Sequence, residues 1–543
     1  MNKIFKSLLY VGLVAFSTTS LVSCIDETEP TDVATDDQIG QSSAAIEALT
    51  MAMPAYVIEC DNSLLNNNNW HAVFGYPAMM MMRDLKTGDF GFNTTDYASH
   101  FNHWSHNKYS GDGYLYGQYI WNYYWKLIQT TNNVVGPINP ENSTSTQLGY
   151  LGAGLAYRAL AYLDLARMYE FLPNDKTQGV NSAGNDVTNY TVPIITNDVT
   201  PEGARNNPRV KREVMAEFIL NDLNNAEKYI PNLTNREGNS LPDLACVYGL
   251  KARLYMWLED YANAKTYARK AIDAATVSPV SAEDGLSLTT GFNDASEWMW
   301  GANQTSESRS VTSGIVNFTS WVSNQTAFGY TGTSTGLYII TDKKLYDRIS
   351  KSDWRKLWFQ PTEDSNLREE ITYLHEDAKV APAYAGLKFR PGAGNADDYK
   401  IGAAVSVPLM RVEEMYFIEA EAAAHINPAD GKALVEAFMT QHRDEAYTCR
   451  ETETDAVVEE IVFQKRVELW GEGQTFFDIK RLDYSVTRGY AGTPFTDLAR
   501  LNTNGRPAWM NLVMVRTEAN NNQALEGWNN PDPSDLYTPW VDL

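Results

Sequence analysis

Two neighbouring stretches of helical periodicity constrain the fold of this chain most. Residues 243–259 and 261–276 repeat apolar residues at helical spacing, with small residues at the positions of close approach. Four residues stand at the offsets of a tetratricopeptide repeat: Ala252, Tyr255, Ala264 and Ala271. Alanines let two antiparallel helices approach closely, and a tyrosine fills the groove between them. The pair therefore predicts packed helical hairpins.

Other segments carry the same periodicity. The run that begins at Tyr150 stops at Pro173, and residues 211–230 stop at Pro231. Further helices are predicted at 407–426, 429–447 and 455–470. Together they predict an α-solenoid-like frame in two helical parts, about 119–276 and 405–482.

Long segments without helical period lie between and around these helices. They cover about 60–118 and 277–400, and residues 485–543 are similar. The chain has 14 Trp, 31 Tyr and 19 Phe, which is 12% of its residues, and an aromatic content this high argues against disorder. We therefore expect a mainly α fold that carries a loop-rich face with short strands, one of them at 297–300.

The charge of the chain excludes some partners. Its 44 Lys and Arg stand against 68 Asp and Glu, which gives a formal net charge of −24. Such a chain repels phosphate backbones and anionic headgroups, so no nucleic-acid partner is expected. Three cysteines outside the N-terminal segment form no disulfide set, and Cys246 and Cys449 are interpreted as small buried hydrophobes on helices.

The N-terminal segment has the pattern of an export signal. Residues 1–23 combine a basic start with an apolar run too short to span a bilayer. The run ends in Leu-Val-Ser-Cys, which resembles the lipobox of bacterial lipoproteins, with Cys24 as the lipidated residue. Residues 24–40 then form an acidic tether, and the lipid is the expected membrane attachment. The alternative is an ordinary secretory signal with an incidental cysteine.

Five segments carry recognisable motifs: 121–135, 158–165, 252–264, 408–422 and 466–481. In that order they are similar to a Trp/Tyr–Ile–Asn helix, an Arg-Ala-x-x-Tyr-x-x-Leu helix, a repeat helix pair, an Arg-x-x-Glu-x-Tyr-x-x-x-Ala-Glu-Ala signature and a C-terminal signature of one family. The chain therefore resembles the SusD/RagB family of outer-membrane glycan-binding lipoproteins of Bacteroidetes. Gln474 and Lys465 depart from the family's pattern, where Arg and Glu are usual.

The resemblance implies a fold and a function. Residues 41–543 are expected to form a single SusD-like domain. The implied function is a non-enzymatic, cell-surface lipoprotein of the outer membrane, anchored at Cys24. It captures oligosaccharides and delivers them to a SusC-like TonB-dependent transporter. Two alternatives stay open: a peptide-capturing lid of the same family, and a secreted glycoside hydrolase.

The charged residues of the motifs have a structural interpretation. We expect eight of them to pair with one another and fix helix–helix register. They are Arg411, Glu413, Glu421, Arg466, Glu468, Glu472, Asp478 and Arg481. Nothing in the sequence places two of these acids across one substrate bond, as glycoside hydrolysis requires.

The glycan site is expected in the loops, because flat rings cover the apolar face of a sugar while short polar side chains bind its hydroxyls. Two regions interleave such residues. The candidates are Trp70, Arg83, Asp84, Asp89, Asn93, Trp104, Trp298, Trp300, Asn303, Trp321, Asn324 and Tyr330. Trp298 and Trp300 have the alternative of covering the core from one strand face. Trp104 and Trp321 are the candidates for exposure, and their replacement by Ala is expected to abolish binding without unfolding.

One motif competes with this interpretation. His100, His103 and His106 follow one another at a spacing of three, so on a helix they would lie on one side and could ligate zinc or copper. Their Asn- and Ser-rich neighbours favour a polar loop, and neither a metal nor a cofactor is expected. Whether a structural calcium ion lies near the site stays open.

Overall fold

The computed structural model describes residues 35–64, 71–95, 99–289 and 291–542. The predicted signal peptide, Cys24, Trp70 and most of the acidic tether lie outside these residues. Helices of eight or more residues in the described part are numbered in chain order: α1 Ser43–Val57, α2 Tyr76–Asp84, α3 Leu115–Val135, α4 Ser145–Tyr169, α5 Arg212–Tyr229, α6 Leu244–Trp257, α7 Tyr261–Ala274, α8 Val412–Ile426, α9 Pro428–His442, α10 Thr454–Glu468 and α11 Thr475–Leu482.

Most of the long helices pack mainly against their neighbours in sequence, as in a solenoid, whereas α2 contacts α11. Helix α1 packs on α3 and α4, α4 on α5, and α5 on α6. The α6–α7 hairpin then packs through α7 on α8, which contacts α9 and α10. One apolar core runs through most of the chain, and a second cluster lies among α8, α9 and α10. The predicted mainly α fold is confirmed.

The α6–α7 hairpin shows why the sequence predicts this frame. The side chains of Asp243 and Asp260 accept hydrogen bonds from backbone N–H groups in the first turns of α6 and α7. Ala252, Ala264 and Ala271 are fully buried between helices. Tyr255 of α6 is half-buried in the groove between the two helices. Its ring stacks on that of Tyr267 of α7, with the ring centroids 5.5 Å apart.

The helices differ from the sequence predictions: α2 lies within 60–118, where no helix is predicted, α9 ends at His442 rather than at 447, and a strand forms near residue 410. Residues Val407–Met410 form a strand, and the helix predicted at 407–426 begins only at Val412. This strand pairs antiparallel with Trp300–Ala302, so tertiary pairing overrides the helical pattern. The short strand predicted at 297–300 is likewise shifted, because Ala295–Glu297 form a 3₁₀ turn.

The second sheet joins the two loop-rich regions. Strand Gly91–Phe92 pairs antiparallel with Ile339–Ile340. Nearby, the Asn93 side chain accepts a hydrogen bond from the N–H of Tyr338 and donates one to the carbonyl of Gly336. The regions 60–118 and 277–400 therefore lie side by side.

The remaining helices are short and occur mainly in the loop-rich parts. The α-helices are Asp36–Gly40, Ser99–Ser105, Pro201–Ala204, Ala282–Leu286, Arg309–Thr312, Phe318–Val322, Lys343–Arg348, Tyr399–Gly402 and Arg516–Asn521. In the part of the chain that the structure describes, no helix combines the length and apolar character needed to cross a membrane.

Candidate functional site

The predicted exposure of Trp104 is wrong. Trp104 is only 2% exposed, and its indole N–H donates to the carbonyl of Met82 at 2.8 Å. The Lys86 ammonium lies 4.0 Å from the centre of the ring. Phe101 and Trp104 lie on the apolar face of the Ser99–Ser105 helix, and both side chains are buried in the core. The indole therefore supports the loop from below.

Trp321 is also buried, which corrects the second exposure prediction. Its ring stacks on Tyr330 with centroids 3.9 Å apart and meets Phe101 edge-on at 4.7 Å. The Trp321 indole N–H donates to the carbonyl of His71 at 3.0 Å. Tyr330 is 3% exposed and its hydroxyl contacts the His71 ring. This pair therefore ties the two loop-rich regions together.

For Trp298 and Trp300 the alternative to sugar binding holds, because both rings cover the core. Both are fully buried. Trp300 meets the Tyr157 ring of α4 edge-on at 4.6 Å, and its indole N–H lies 3.2 Å from the Tyr157 hydroxyl oxygen. Trp298 packs on Phe292 at 5.4 Å. Neither ring is open to a ligand.

The charged candidates form buried pairs. Arg83 donates to Asp164 of α4 at 2.8 Å, and Asp89 accepts two hydrogen bonds from Arg466. Asp84 accepts the backbone N–H of Gly473 at 2.9 Å, and burial raises the pKa of this carboxyl to about 7. All three candidates are 2–3% exposed, so in this structure they fix tertiary register.

The amide candidates divide into one buried and two half-buried residues. Asn324 is 1% exposed and its side chain makes three hydrogen bonds to the backbones of Ile339 and Gly386. Asn93 and Asn303 are half-buried. Asn303 donates to Gly238 at 2.7 Å, accepts from Ser406 at 3.0 Å, and lines a polar surface pocket of about 610 Å³.

The charged motif residues pair largely as the sequence predicts. Arg411 binds Glu413, Glu468 and Glu472 at 2.5–2.8 Å, and these side chains are almost fully buried. Although burial disfavours the charged form, Arg443 and Arg411 hold the pKa of Glu468 well below its usual range.

Two further motif arginines complete this picture. Arg481 binds Glu421 and Asp478. Arg466 departs from the prediction, because it binds Asp89 of the first loop region rather than another motif residue. Lys465, at a position that departs from the family's pattern, binds Asp478 at 2.8 Å.

Among the described residues of the first loop region, two exposed rings belong to tyrosines that the sequence analysis does not select. Tyr109 and Tyr114 are 43% and 42% exposed, and their ring centroids lie 5.0 Å apart. His103 is exposed and meets Tyr109 edge-on at 5.0 Å. We call these three side chains the tyrosine patch. They form a contiguous aromatic surface that solvent reaches.

The backbone below the tyrosine patch is strained and firmly held. Asn107 and Tyr109 have φ of 52° and 58°, and a bulky residue rarely adopts this left-handed conformation. Such strain persists where the surroundings over-determine it, and it clusters at functional sites. The Asn107 side chain donates to Pro533 at 2.7 Å, and the N–H of Ser110 donates to Ser534 at 3.0 Å.

Buried Lys86 supports the same loop from inside. Its ammonium, which lies over Trp104, donates to the Ser110 hydroxyl at 3.2 Å. On the other side, the N–H of Arg516 donates to the carbonyl of Asp112 at 2.9 Å, and the two side chains form an ion pair at 2.8 Å. The loop is therefore a rigid support that holds the two tyrosine rings outward.

The sequence does contain a signal that predicts the exposure of the two tyrosines of the patch. Tyr109 and Tyr114 enclose Ser110-Gly-Asp-Gly113, and a turn this rich in small and polar residues leaves little apolar surface to bury a ring. Trp104, by contrast, stands three residues after Phe101 on one helix face.

Two of the three histidines, His103 and His106, have different surroundings. His106 is buried, which lowers its pKa to about 4, whereas His103 is exposed. The described residues contain no group of three His, Cys, Asp or Glu side chains that could hold a metal ion.

The fold and the patch define a class: a helical-repeat protein with a rigid, loop-built aromatic face. Residues 384–539 match the model of the SusD family, and the SusD/RagB resemblance predicted from the sequence is confirmed. Relatives of known structure share the fold across almost the whole chain. No curated protein matches the chain.

Three solved structures illustrate this similarity. A SusD-like carbohydrate-binding protein from Bacteroides vulgatus is 21% identical, with a TM-score of 0.66, 89% of this chain covered and 96% of the other. A SusD superfamily protein from Bacteroides thetaiotaomicron is 18% identical, with a TM-score of 0.65 and coverage of 90% and 99%. A laminarin-binding SusD-like protein is 16% identical, with a TM-score of 0.63 and coverage of 90% and 99%.

Proposed function

We propose that this protein captures oligosaccharides at the cell surface without cleaving them. The observation that carries the proposal is the tyrosine patch, in which two rings are more than two-fifths exposed on a strained, braced loop. A preorganised ring loses little entropy when a sugar covers it, so a rigid platform favours binding. The SusD-like fold and the laminarin-binding relative support a carbohydrate as the ligand.

The patch also suits passive binding. Asp112, the acid between the two tyrosines, is engaged by the Arg516 guanidinium at 2.8 Å. Cleavage of a glycosidic bond requires two acids whose environments separate their pKa values across one bond. Capture on ring faces requires no such pair. We therefore propose a binding protein rather than a hydrolase.

A glycan array tests this proposal. The full-length protein is purified in a detergent without a sugar headgroup and applied to the array, and the best ligand is then incubated with it for product analysis. We expect saturable binding and an unchanged ligand. Release of reducing ends would show a hydrolase. Binding to an extended-peptide library, with no binding to the array, would favour the peptide-capturing lid.

Delivery and anchoring are further parts of the proposal. The protein would be lipidated at Cys24, face the exterior and hand oligosaccharides to a SusC-like TonB-dependent transporter, since a raised local ligand concentration favours uptake. Incorporation of labelled palmitate tests the anchor, with Cys24→Ala as the control. Isolation of a stoichiometric complex with a TonB-dependent barrel tests the partner, and a protein that stays alone in mild detergent would contradict it.

A further inference from the structure

A cleft lined by aromatic residues shares none of its lining with the tyrosine patch. Its volume is about 690 Å³, and it opens between helix α3, the segment 193–204 and Glu518. The residues that line it on α3 include Trp121, Trp125 and Gln129. They recur every four residues, so they form one stripe along the helix. None of them belongs to the tyrosine patch.

The floor of this cleft consists of two tryptophan rings. Their centroids lie 5.4 Å apart at an interplanar angle of 56°. Trp121 is 2% exposed, and its indole N–H lies 3.4 Å from a carboxylate oxygen of Glu518. Trp125 is half-buried and is backed edge-on by Tyr162 at 6.1 Å. Trp125 is therefore held in place while part of its ring stays open to the cleft.

Trp125 also carries an unused donor. Its indole N–H is buried and has no hydrogen-bond partner among the described residues. This N–H is closed to solvent, so the floor offers a ligand the open part of the Trp125 ring face. A flat ring face suits the apolar face of a sugar.

The rim of the cleft is rich in amides. Gln129, Asn133 and Asn197 line it and are exposed. Primary amides donate and accept hydrogen bonds at once, which suits vicinal hydroxyls. Lys126 contributes one cation, against the acids Asp36 and Glu518. This balance disfavours an anionic ligand.

We infer that this cleft is a second saccharide-binding site, which takes a short neutral glycan against Trp125 independently of the tyrosine patch. The inference rests on the proposed function, because both sites bind the same ligand class. It adds a second point of attachment, and two linked sites raise the avidity for a long polysaccharide.

The test uses full-length protein labelled with 5-fluorotryptophan and four trisaccharide probes: maltotriose, cellotriose, laminaritriose and N,N′,N″-triacetylchitotriose. The ¹⁹F resonance of Trp125 is assigned with Trp125→Phe, which keeps a ring at this position. In the background Tyr109→Asn/Tyr114→Ala, we expect at least one probe to shift this resonance saturably. Gln129→Ala/Asn133→Ala changes two exposed helix positions and should weaken that response at least tenfold.

The outcomes separate the two proposals. If a probe binds the wild type but never shifts the Trp125 resonance, the second site is wrong and the proposed function stands. A Trp125 response that vanishes with Tyr109→Asn/Tyr114→Ala also overturns independence. If neither the probes nor the glycan array gives binding, the proposed function fails and this inference fails with it.

Discussion

Removal of the Tyr109 ring should weaken glycan binding and leave the fold intact. A tyrosine side chain buries about 200 Å² when fully covered. Because Tyr109 is 43% exposed, a sugar can still cover about 85 Å² of it, which is worth about 2 kcal/mol. This predicts a rise in Kd of up to about 30-fold. The replacement is Tyr109→Asn, since Asn adopts the left-handed backbone at φ 58° more readily than Ala.

Isothermal titration with the best array ligand measures this effect, and urea unfolding monitors stability. Tyr109→Phe is the matched control; it keeps the ring and should change Kd by less than about tenfold. The free energy of unfolding of Tyr109→Asn should fall by no more than about 3 kcal/mol, because the part of the ring already covered in the fold is about 115 Å². Wild-type affinity in both Tyr109→Asn and Tyr114→Ala would refute the placement of the site.

Three further changes test the framework by urea unfolding. Trp321→Ala should lower the free energy of unfolding by about 3–5 kcal/mol, because it empties a fully buried site; a wild-type value would contradict that burial. Arg411→Met should cost about 3–5 kcal/mol, because it leaves buried carboxylates such as Glu468 short of a partner; a neutral effect would show that the network does not stabilise the fold. Asp84 has a folded pKa of about 7 against a reference of 3.8, so the folded state binds a proton that the unfolded state releases. The free energy of unfolding should therefore fall by up to about 4 kcal/mol as the pH rises from 3.8 to about 7. Asp84→Asn should remove this pH dependence. A slope that survives in Asp84→Asn would assign it to another group.

The helical frame could be predicted because its signals are local. Helices α4 to α7 begin and end within a few residues of their predicted positions, where caps, prolines and small residues act over one or two turns. The strand at Val407–Met410 was missed because its partner, Trp300–Ala302, lies about a hundred residues earlier. No local pattern reports such a pairing.

The candidate site could be predicted only as a region. The sequence indicates that aromatic loops exist and that the first of them lies before α3, but it assigns exposure to Trp104 and Trp321. The structure buries both rings and exposes Tyr109 and Tyr114 instead. Trp104 and Trp321 lie on helices of only one or two turns, which give too few periodic neighbours to infer the burial of a ring, so the prediction for each ring depends on composition.

The sequence by itself determined most helices of the two predicted helical parts, the close approaches between them and most of the buried charges that fix their register, because these follow from spacing and residue type along the chain. Only the tertiary structure decided which rings reach solvent. The Tyr109 loop is fixed by Pro533 and Ser534, more than four hundred residues away, and Trp321 is buried by Phe101 and Tyr330. Whether a side chain is exposed depends on which residues pack against it. For these loops the packing partners come from distant parts of the chain.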